Sequence, residues 1–361
     1  MPPAMFRADG SSYLGMGHIM RCLAFAGGLR KLGTDSWFIT KARGQQVTNV
    51  VRSQGFKVRE IPSDITLDDD ARCTAEIADE TGSKLIVTDI CHRDTQMDPA
   101  GLRSYHQQVR IGRFVVGIAG DEVINLLADI VVAPYFGVGN EANADDIESE
   151  MLIGPAYFIF RPEFMTVAQS PRIIRRQADR ILVTVGGSDE LHLSSMILDA
   201  IGRLSRQDLS VKVVVGGGYT QKLREEITTT LRELGGDSGV VEHNADLAEM
   251  MLWADLAITG DGLTKYETAV TGTPSIMVCR PDRRVKLNQD FAGIGSTLYL
   301  GYESPLEPSG LSTQIQVLME DPMKRQDMSS KGKTLVDGKG LDRIISSIPR
   351  ELLGANCSDS N

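Results

Sequence analysis

The segment Asp255-Leu256-Ala257-Ile258-Thr259-Gly260-Asp261-Gly262-Leu263-Thr264-Lys265-Tyr266-Glu267, running on to Gly272-Thr273-Pro274, holds a complete structural unit in one short run. Its apolar start reads as a strand and its paired glycines as a turn. A helix comes next, stopped by Gly272 and Pro274, and then a further strand at Ser275–Cys279. Thr264 and Glu267 have the spacing of a capping box, in which their side chains satisfy the first N–H groups of the helix. The same positions suit a ligand. A helix start at Gly262–Thr264 offers N–H groups and a partial positive charge to a diphosphate, and a carboxylate at Glu267 offers two acceptors to vicinal ribose hydroxyls.

Outward from this unit the alternation of strand and helix continues in both directions. In the C-terminal half Ile181–Val185, Val211–Val215, Gly239–Glu242 and Leu256–Thr259 read as strands. Between them lie helical stretches at Leu193–Leu204, Gln221–Leu234, Leu247–Trp253, Thr264–Thr271 and Lys286–Phe291. In the N-terminal half the strands are Trp37–Thr40, Lys84–Asp89, Phe114–Ile118 and Ile130–Ala133. Helices fall at Ile19–Leu32, Val47–Gln54, Asp70–Thr81 and Ala100–Val109. Such alternation means βαβ units and mostly parallel sheets. The predicted fold is α/β, with two Rossmann-like doubly wound domains facing across a cleft. Their expected bounds are 1–168 and 181–350, separated by a polar, arginine-rich stretch at Gln169–Arg180 that reads as a solvated linker. A Ser/Asn/Asp-rich tail at 354–361 reads as disordered.

Two further glycine turns follow strands. Gly15-Met16-Gly17-His18 leads straight into a helix, and His18 and Arg21 are three apart, so both fall on one face of its first turn. That pairs a titratable base with a fixed cation at the strand ends, where such sheets bind ligands. A histidine near a helix start can also do no more than satisfy backbone groups. Gly186-Gly187-Ser188-Asp189 can cradle phosphate or a sugar ring with backbone amides. Gly216-Gly217-Gly218 is a weaker signal of the same kind, or simply a flexible connection.

Composition bounds the rest. The chain has 361 residues, 42% hydrophobic and 24% charged, with a formal net charge of −10. An acidic chain without a basic stripe argues against a nucleic-acid partner. The five cysteines form no Cys-x-x-Cys pair, which argues for a reducing compartment and against a disulfide scaffold or structural zinc. No signal-peptide core and no spanning apolar run is present, so a cytoplasmic location without a membrane span is expected. The five histidines show no metal-ligand spacing, and neither a nucleophile elbow nor a P-loop occurs. No metal or cofactor is expected, only a small-molecule substrate and pathway enzymes as partners.

The opening Arg7-Ala8-Asp9-Gly10-Ser11…Gly15-Met16-Gly17-His18-Ile19-Met20-Arg21 resembles the UDP-sugar hydrolases of the pseudaminic-acid pathway. It also resembles a related group of glycosyltransferases named for spore-coat polysaccharide synthesis. The likeness continues through Gly154–Phe164, Gly186–Asp189, Gly260–Pro274 and Asn288-Gln289. It implies a GT-B-like architecture, a nucleotide-sugar held between the halves, and cleavage at the anomeric carbon without a cofactor. By position, His18 would activate the attacking water, with Asp9 and Arg21 shaping its pocket. Gly15, Gly17, Gly186, Gly187 and Ser188 would flank the substrate. Gly262, Thr264 and Glu267 would hold the nucleotide, together with Asn288 and Gln289. The expected product pair is UDP and a free diacetamido-trideoxy sugar. The alternatives are transfer to a hydroxyl acceptor, or nucleotide-sugar binding without turnover. The chain departs from the pattern at Leu263, Lys265 and Tyr266, and at Gly120-Asp121-Glu122. Lys265 is read either as a cation beside the diphosphate or as a solvent-facing side chain.

Overall fold

The computed structural model describes residues 1–11, 15–90, 98–120, 126–137, 149–204, 206, 208–242, 246–278, 285–301 and 307–354. The chain divides into two compact units, Met1–Arg161 with Lys339–Asn361, and Pro162–Gly338. The proposed disordered tail beyond 354 lies outside the described residues, as do Asp121 and Glu122.

The N-terminal unit runs β1 (Ala4–Ala8), α1 (Gly17–Lys31), β2 (Ser36–Lys41), α2 (Gln45–Ser53), β3 (Lys57–Ile61), α3 (Leu67–Thr81), β4 (Leu85–Asp89), α4 (Pro99–Val109), β5 (Phe114–Ile118), β6 (Ile130–Ala133) and β7 (Glu150–Ile153). All pairings are parallel, in the order β3-β2-β1-β4-β5-β6-β7. Helices on both faces bury the central strands, so β1, β4 and β6 are buried throughout and apolar but for Arg7, Thr88 and Asp89. Phe6 of β1 stacks on Phe38 of β2 with ring centroids 5.1 Å apart and meets Phe25 of α1 edge-on at 5.6 Å. The order reverses between β1 and β4, so the loops leaving these two strands diverge and open a crevice above the sheet.

The C-terminal unit opens with α5 (Pro162–Ala168), then β8 (Arg180–Thr184), α6 (Leu193–Gly202), β9 (Ser210–Val215), α7 (Gln221–Leu234), β10 (Gly239–Glu242), α8 (Leu247–Trp253) and β11 (Leu256–Thr259). It ends with α9 (Thr264–Thr271), β12 (Ser275–Val278), α10 (Val285–Gly293), β13 (Thr297–Leu300), α11 (Pro308–Glu320) and α12 (Pro322–Leu335). Its parallel sheet has the order β10-β9-β8-β11-β12-β13, with the reversal between β8 and β11.

Two expectations about the borders are corrected. The C-terminal bound at 350 does not hold, because α13 (Gly340–Ser346) returns to the N-terminal unit. It packs on α1 at Gly28, where an added Cβ would lie 2.9 Å from Ile345 Cδ1. Arg343 donates to the Ala156 carbonyl at 2.9 Å, and the Gly354 N–H donates to Thr34 at 2.8 Å. The stretch Gln169–Arg180 is not a solvated linker. The guanidinium of Arg172 donates to the carbonyls of Met251, Leu252 and Ala254, capping the C-terminal end of α8. Arg175 pairs with Asp179 and Asp255, at 2.6 and 2.9 Å, and Arg325 of α12, fully buried, donates to the Arg175 carbonyl at 2.7 Å. These arginines clamp the connection to the N-terminal ends of β8 and β11.

Candidate functional site

In the N-terminal unit the described ends of the loop leaving β1 are set by glycines. Gly10 lies where a Cβ would stand 3.0 Å from Ile19 and 3.2 Å from Met16, so a glycine lets the loop run directly under the start of α1. Gly15 is left-handed, at φ +79°, and its N–H donates to the Ser11 carbonyl at 2.8 Å. Gly17 opens α1, which has no side-chain cap on its first N–H groups.

This geometry brings His18 and Arg21, one turn apart on α1, onto Asp89 at the end of β4. His18 Nδ1 lies 2.7 Å from Asp89 Oδ1. The Arg21 guanidinium grips both carboxylate oxygens, with its Nη2 2.5 Å from Oδ1 and its Nε on Oδ2. Cys22 adds a weak S–H donor to Oδ2 at 3.8 Å, and Arg21 Nη1 also donates to the Tyr135 hydroxyl. Asp89 is buried while the His18 side chain is 21% exposed. Burial by itself would raise the Asp89 carboxyl. The Arg21 charge, and after it His18, outweigh that and hold it below the ordinary carboxylate range. An ionised Asp89 accepts the Nδ1 proton of His18, which makes Nε2 the basic nitrogen. Arg21 Nη2 also approaches His18 Nδ1, at 3.1 Å. Since the guanidinium only donates, Asp89 is the group that fixes the tautomer.

Asp9 is not part of this cluster, contrary to the positional expectation. It belongs to a second, fully buried cluster on the α3 side of the sheet. Arg7 Nη1 lies 2.8 Å from Asp9 Oδ1, and its Nε and Nη2 donate to Asp70 at 2.9 and 2.6 Å. Asp9 further accepts the Lys41 N–H at 2.7 Å. It therefore anchors the end of β1 to β2. Asp89, which no motif singled out, takes the place beside the histidine. The buried His106 lies between Thr88 and the Leu102 carbonyl, at 2.8 and 2.7 Å; burial pushes its pKa down to about 4. It is a neutral structural group.

The C-terminal unit carries the remaining candidates on the loops leaving β8 and β11. Gly186 takes φ +118°, open to glycine. The Gly187 carbonyl accepts from Gly218 N–H at 2.9 Å, and a Cβ on Gly216 would lie 2.2 Å from that same oxygen. The two glycine turns are thus packed closely, leaving no room for a side chain at Gly216 or Gly218. Ser188 is half-buried at this junction. Asp189 is no ligand group, since its carboxylate accepts the Leu193 and Ser194 N–H groups, both at 2.8 Å, and caps α6. On the β11 side a Cβ on Gly260 would lie 2.9 Å from the Val185 carbonyl, which draws the two loops together.

The capping box expected of Thr264 and Glu267 does not form. The N-cap of α9 is Leu263, with no side-chain hydrogen bond to the helix start. By contrast α3, α4, α7, α8 and α12 each carry a side-chain cap, although α2, α11 and α13 do not. Thr264 and Glu267 are half-buried. Lys265 is neither solvent-facing nor loose, since it is buried and donates to Asn288 Oδ1 of α10 at 2.5 Å. Gln289, the next residue along α10, is half-buried. Among the described residues no group of His, Cys, Asp and Glu is placed to hold a metal ion, and no helix is long and apolar enough to cross a membrane.

Comparison with known proteins bears on the fold. Residues 180–343 match the glycosyltransferase family 28 C-terminal domain. Over 356 residues the chain is 25% identical to the spore coat polysaccharide biosynthesis protein SpsG of Bacillus subtilis, covering 93% of this chain and 95% of that one. It is 24% identical over 239 residues to a UDP-N-acetylglucosamine–N-acetylmuramyl-(pentapeptide) pyrophosphoryl-undecaprenol N-acetylglucosamine transferase of Xanthomonas axonopodis, covering 64% of this chain and 52% of that enzyme. The crystal structure of Acinetobacter baumannii MurG superimposes with a TM-score of 0.68 at 14% identity, covering 96% of this chain and 98% of that one. By fold, then, the chain is a two-domain α/β protein of the GT-B glycosyltransferase type, and its C-terminal unit matches glycosyltransferase family 28.

Proposed function

We propose that the chain is a glycosyltransferase that takes a nucleoside-diphosphate N-acyl sugar as donor and a hydroxyl group as acceptor, in the synthesis of a surface polysaccharide. The observation that carries this reading is the His18–Asp89–Arg21 cluster at the switch point of the N-terminal sheet, in a chain whose other unit matches a glycosyltransferase domain. The match to a glycosyltransferase family 28 domain and the likeness to an N-acetylglucosamine transferase support transfer, and the likeness to a spore coat polysaccharide biosynthesis protein supports the polysaccharide setting. Hydrolysis, which the resemblance implied, is the same chemistry with water as acceptor.

In this reading the nucleotide is held on the C-terminal unit. The uncapped start of α9 and the packed turns at Gly186–Ser188 and Gly216–Gly218 offer backbone N–H groups to the diphosphate, and Glu267 accepts from the ribose hydroxyls. His18 Nε2 removes the proton of the acceptor hydroxyl as its oxygen attacks the anomeric carbon. The anomeric C–O bond breaks on the opposite side, and the nucleoside diphosphate departs with the electron pair. Asp89 stabilises the imidazolium that forms, and Arg21 keeps Asp89 ionised and in place. Displacement of this kind inverts the anomeric centre.

The test is UDP release from UDP-N-acetylglucosamine and related N-acyl donors, with and without a pooled polysaccharide acceptor. Release that depends on acceptor is expected. Rapid stoichiometric release in buffer alone would replace transfer by hydrolysis, and binding without any release would remove the enzymatic reading.

A further inference from the structure

Lys265 and Asn288 form a buried pair at the start of α9, 8% and 1% exposed respectively. Lys265 Nζ lies 2.5 Å from Asn288 Oδ1. It is also held over the rings of Tyr266 and Phe291, 5.7 and 5.4 Å from their centroids, while the rings themselves meet edge-on at 5.1 Å. An ammonium group has three donors and no acceptor, so Asn288 must turn its carbonyl oxygen toward it. The orientation of the amide is thereby set by chemistry. Its other branch, Nδ2, is buried and meets no acceptor among the described residues. A donor buried in that state is unfavourable, and such a group in a native protein points to a missing partner.

We infer that Lys265 is a positioning residue which locks the Asn288 amide so that Nδ2 donates to an acceptor-only oxygen of the bound nucleotide-sugar, either a diphosphate oxygen or the carbonyl of an N-acyl group. The inference rests on the nucleotide-sugar reading above and adds to it a rule of selection. At this point the site rewards an acceptor and disfavours a hydroxyl that must donate its own proton. Lys265 acts through Asn288, and its ammonium charge lies one side chain away from the ligand oxygen.

Asparagine-to-aspartate substitution separates the two branches of the amide. Asn288→Asp keeps the shape and gives Lys265 a stronger partner, but it presents an acceptor where the ligand needs a donor. Affinities for UDP and for UDP-N-acetylglucosamine are to be measured by calorimetry for the wild type, N288D, K265M and K265R, with thermal unfolding as the control on folding. In N288D the unfolding midpoint is expected to stay at or above that of the wild type. Affinity should fall roughly tenfold or more, the loss of one hydrogen bond to an oxygen acceptor plus repulsion. If the partner is a diphosphate oxygen, both ligands lose equally; if it is the acyl carbonyl, only UDP-N-acetylglucosamine loses. Lys265→Met should weaken the same ligand or ligands several-fold, and Lys265→Arg, which restores a donor to Oδ1, should recover most of the loss. N288D binding both ligands as tightly as the wild type, or tighter, would overturn the inference. A wild-type chain that binds neither ligand would instead overturn the nucleotide-sugar reading and take the inference with it.

Discussion

Replacing Asp89 with asparagine should lower turnover by about 10³- to 10⁴-fold, the effect of holding a catalytic imidazole in the wrong tautomer. The carboxylate offers two acceptors, and both are in use: Oδ1 serves His18 and Arg21, and Oδ2 serves Arg21 and Cys22. An amide offers only one. Either orientation sets an N–H₂ group against a donor of Arg21, and the orientation that favours Arg21 Nε also faces an N–H toward His18 Nδ1. The imidazole then keeps its proton on Nε2 and ceases to be a base. Nucleotide affinity, which the proposal assigns to the C-terminal unit, should change little, so the loss should appear in kcat. Steady-state kinetics with a parallel nucleotide titration checks this. A D89N variant with near-normal kcat would show that the tautomer does not matter.

The second large effect is on stability. Arg7→Met should destabilise the N-terminal unit by about 3–5 kcal/mol, the usual penalty for leaving buried charge without its partner. Arg7 is fully buried between Asp9 and Asp70, and burial, which alone would depress its charged form, is outweighed by those two carboxylates. Without it two carboxylates remain in the core with a single backbone donor and neighbouring hydroxyls. Neutralising all three positions together, as Arg7→Met with Asp9→Asn and Asp70→Asn, should recover a large part of the loss. The asparagine at position 9 can still accept the Lys41 N–H. Urea unfolding of the single and triple variants measures both. If the triple variant is no better than R7M, the cluster acts through shape and not charge.

The ease with which these sites can be read from sequence tracks their physical origin. Strands Phe114–Ile118 and Ile130–Ala133 are legible end to end, because strands covered on both faces are mostly apolar and these two carry no polar side chain. β3, Lys-Val-Arg-Glu-Ile, is not, since an edge strand with charged, exposed side chains carries no such run. α12 also escapes, because it is polar along most of its length. The glycine turns and His18 with Arg21 can be found, since their chemistry is local to one helix start. Asp89 can be seen only as the last residue of a strand. Its pairing with His18 spans 71 residues and depends on β1 and β4 becoming neighbours. The arginines of 172–180 look solvated in sequence. Arg172 finds its acceptors in carbonyls on a distant helix end, and Arg175 finds one of its carboxylates in Asp255, 80 residues away; sequence pattern announces neither.

Lys265 shows the same limit within a motif whose strand, turn and helix are plain in sequence. Its neighbours Thr264 and Glu267 have the spacing of a cap, yet α9 begins without one. The lysine turns inward because Asn288 on another helix and two aromatic rings receive its ammonium.

The proposed mechanism requires His18 to act as a base in the chemical step and not as a ligand for the nucleotide. The direct measurement is His18→Ala, with kcat for sugar transfer and the Kd for UDP determined on the same preparation. A fall in kcat of about 10²- to 10⁴-fold is expected, the usual contribution of a general base, with the UDP Kd unchanged. Equal losses in kcat and in UDP affinity, or an undiminished kcat, would contradict it.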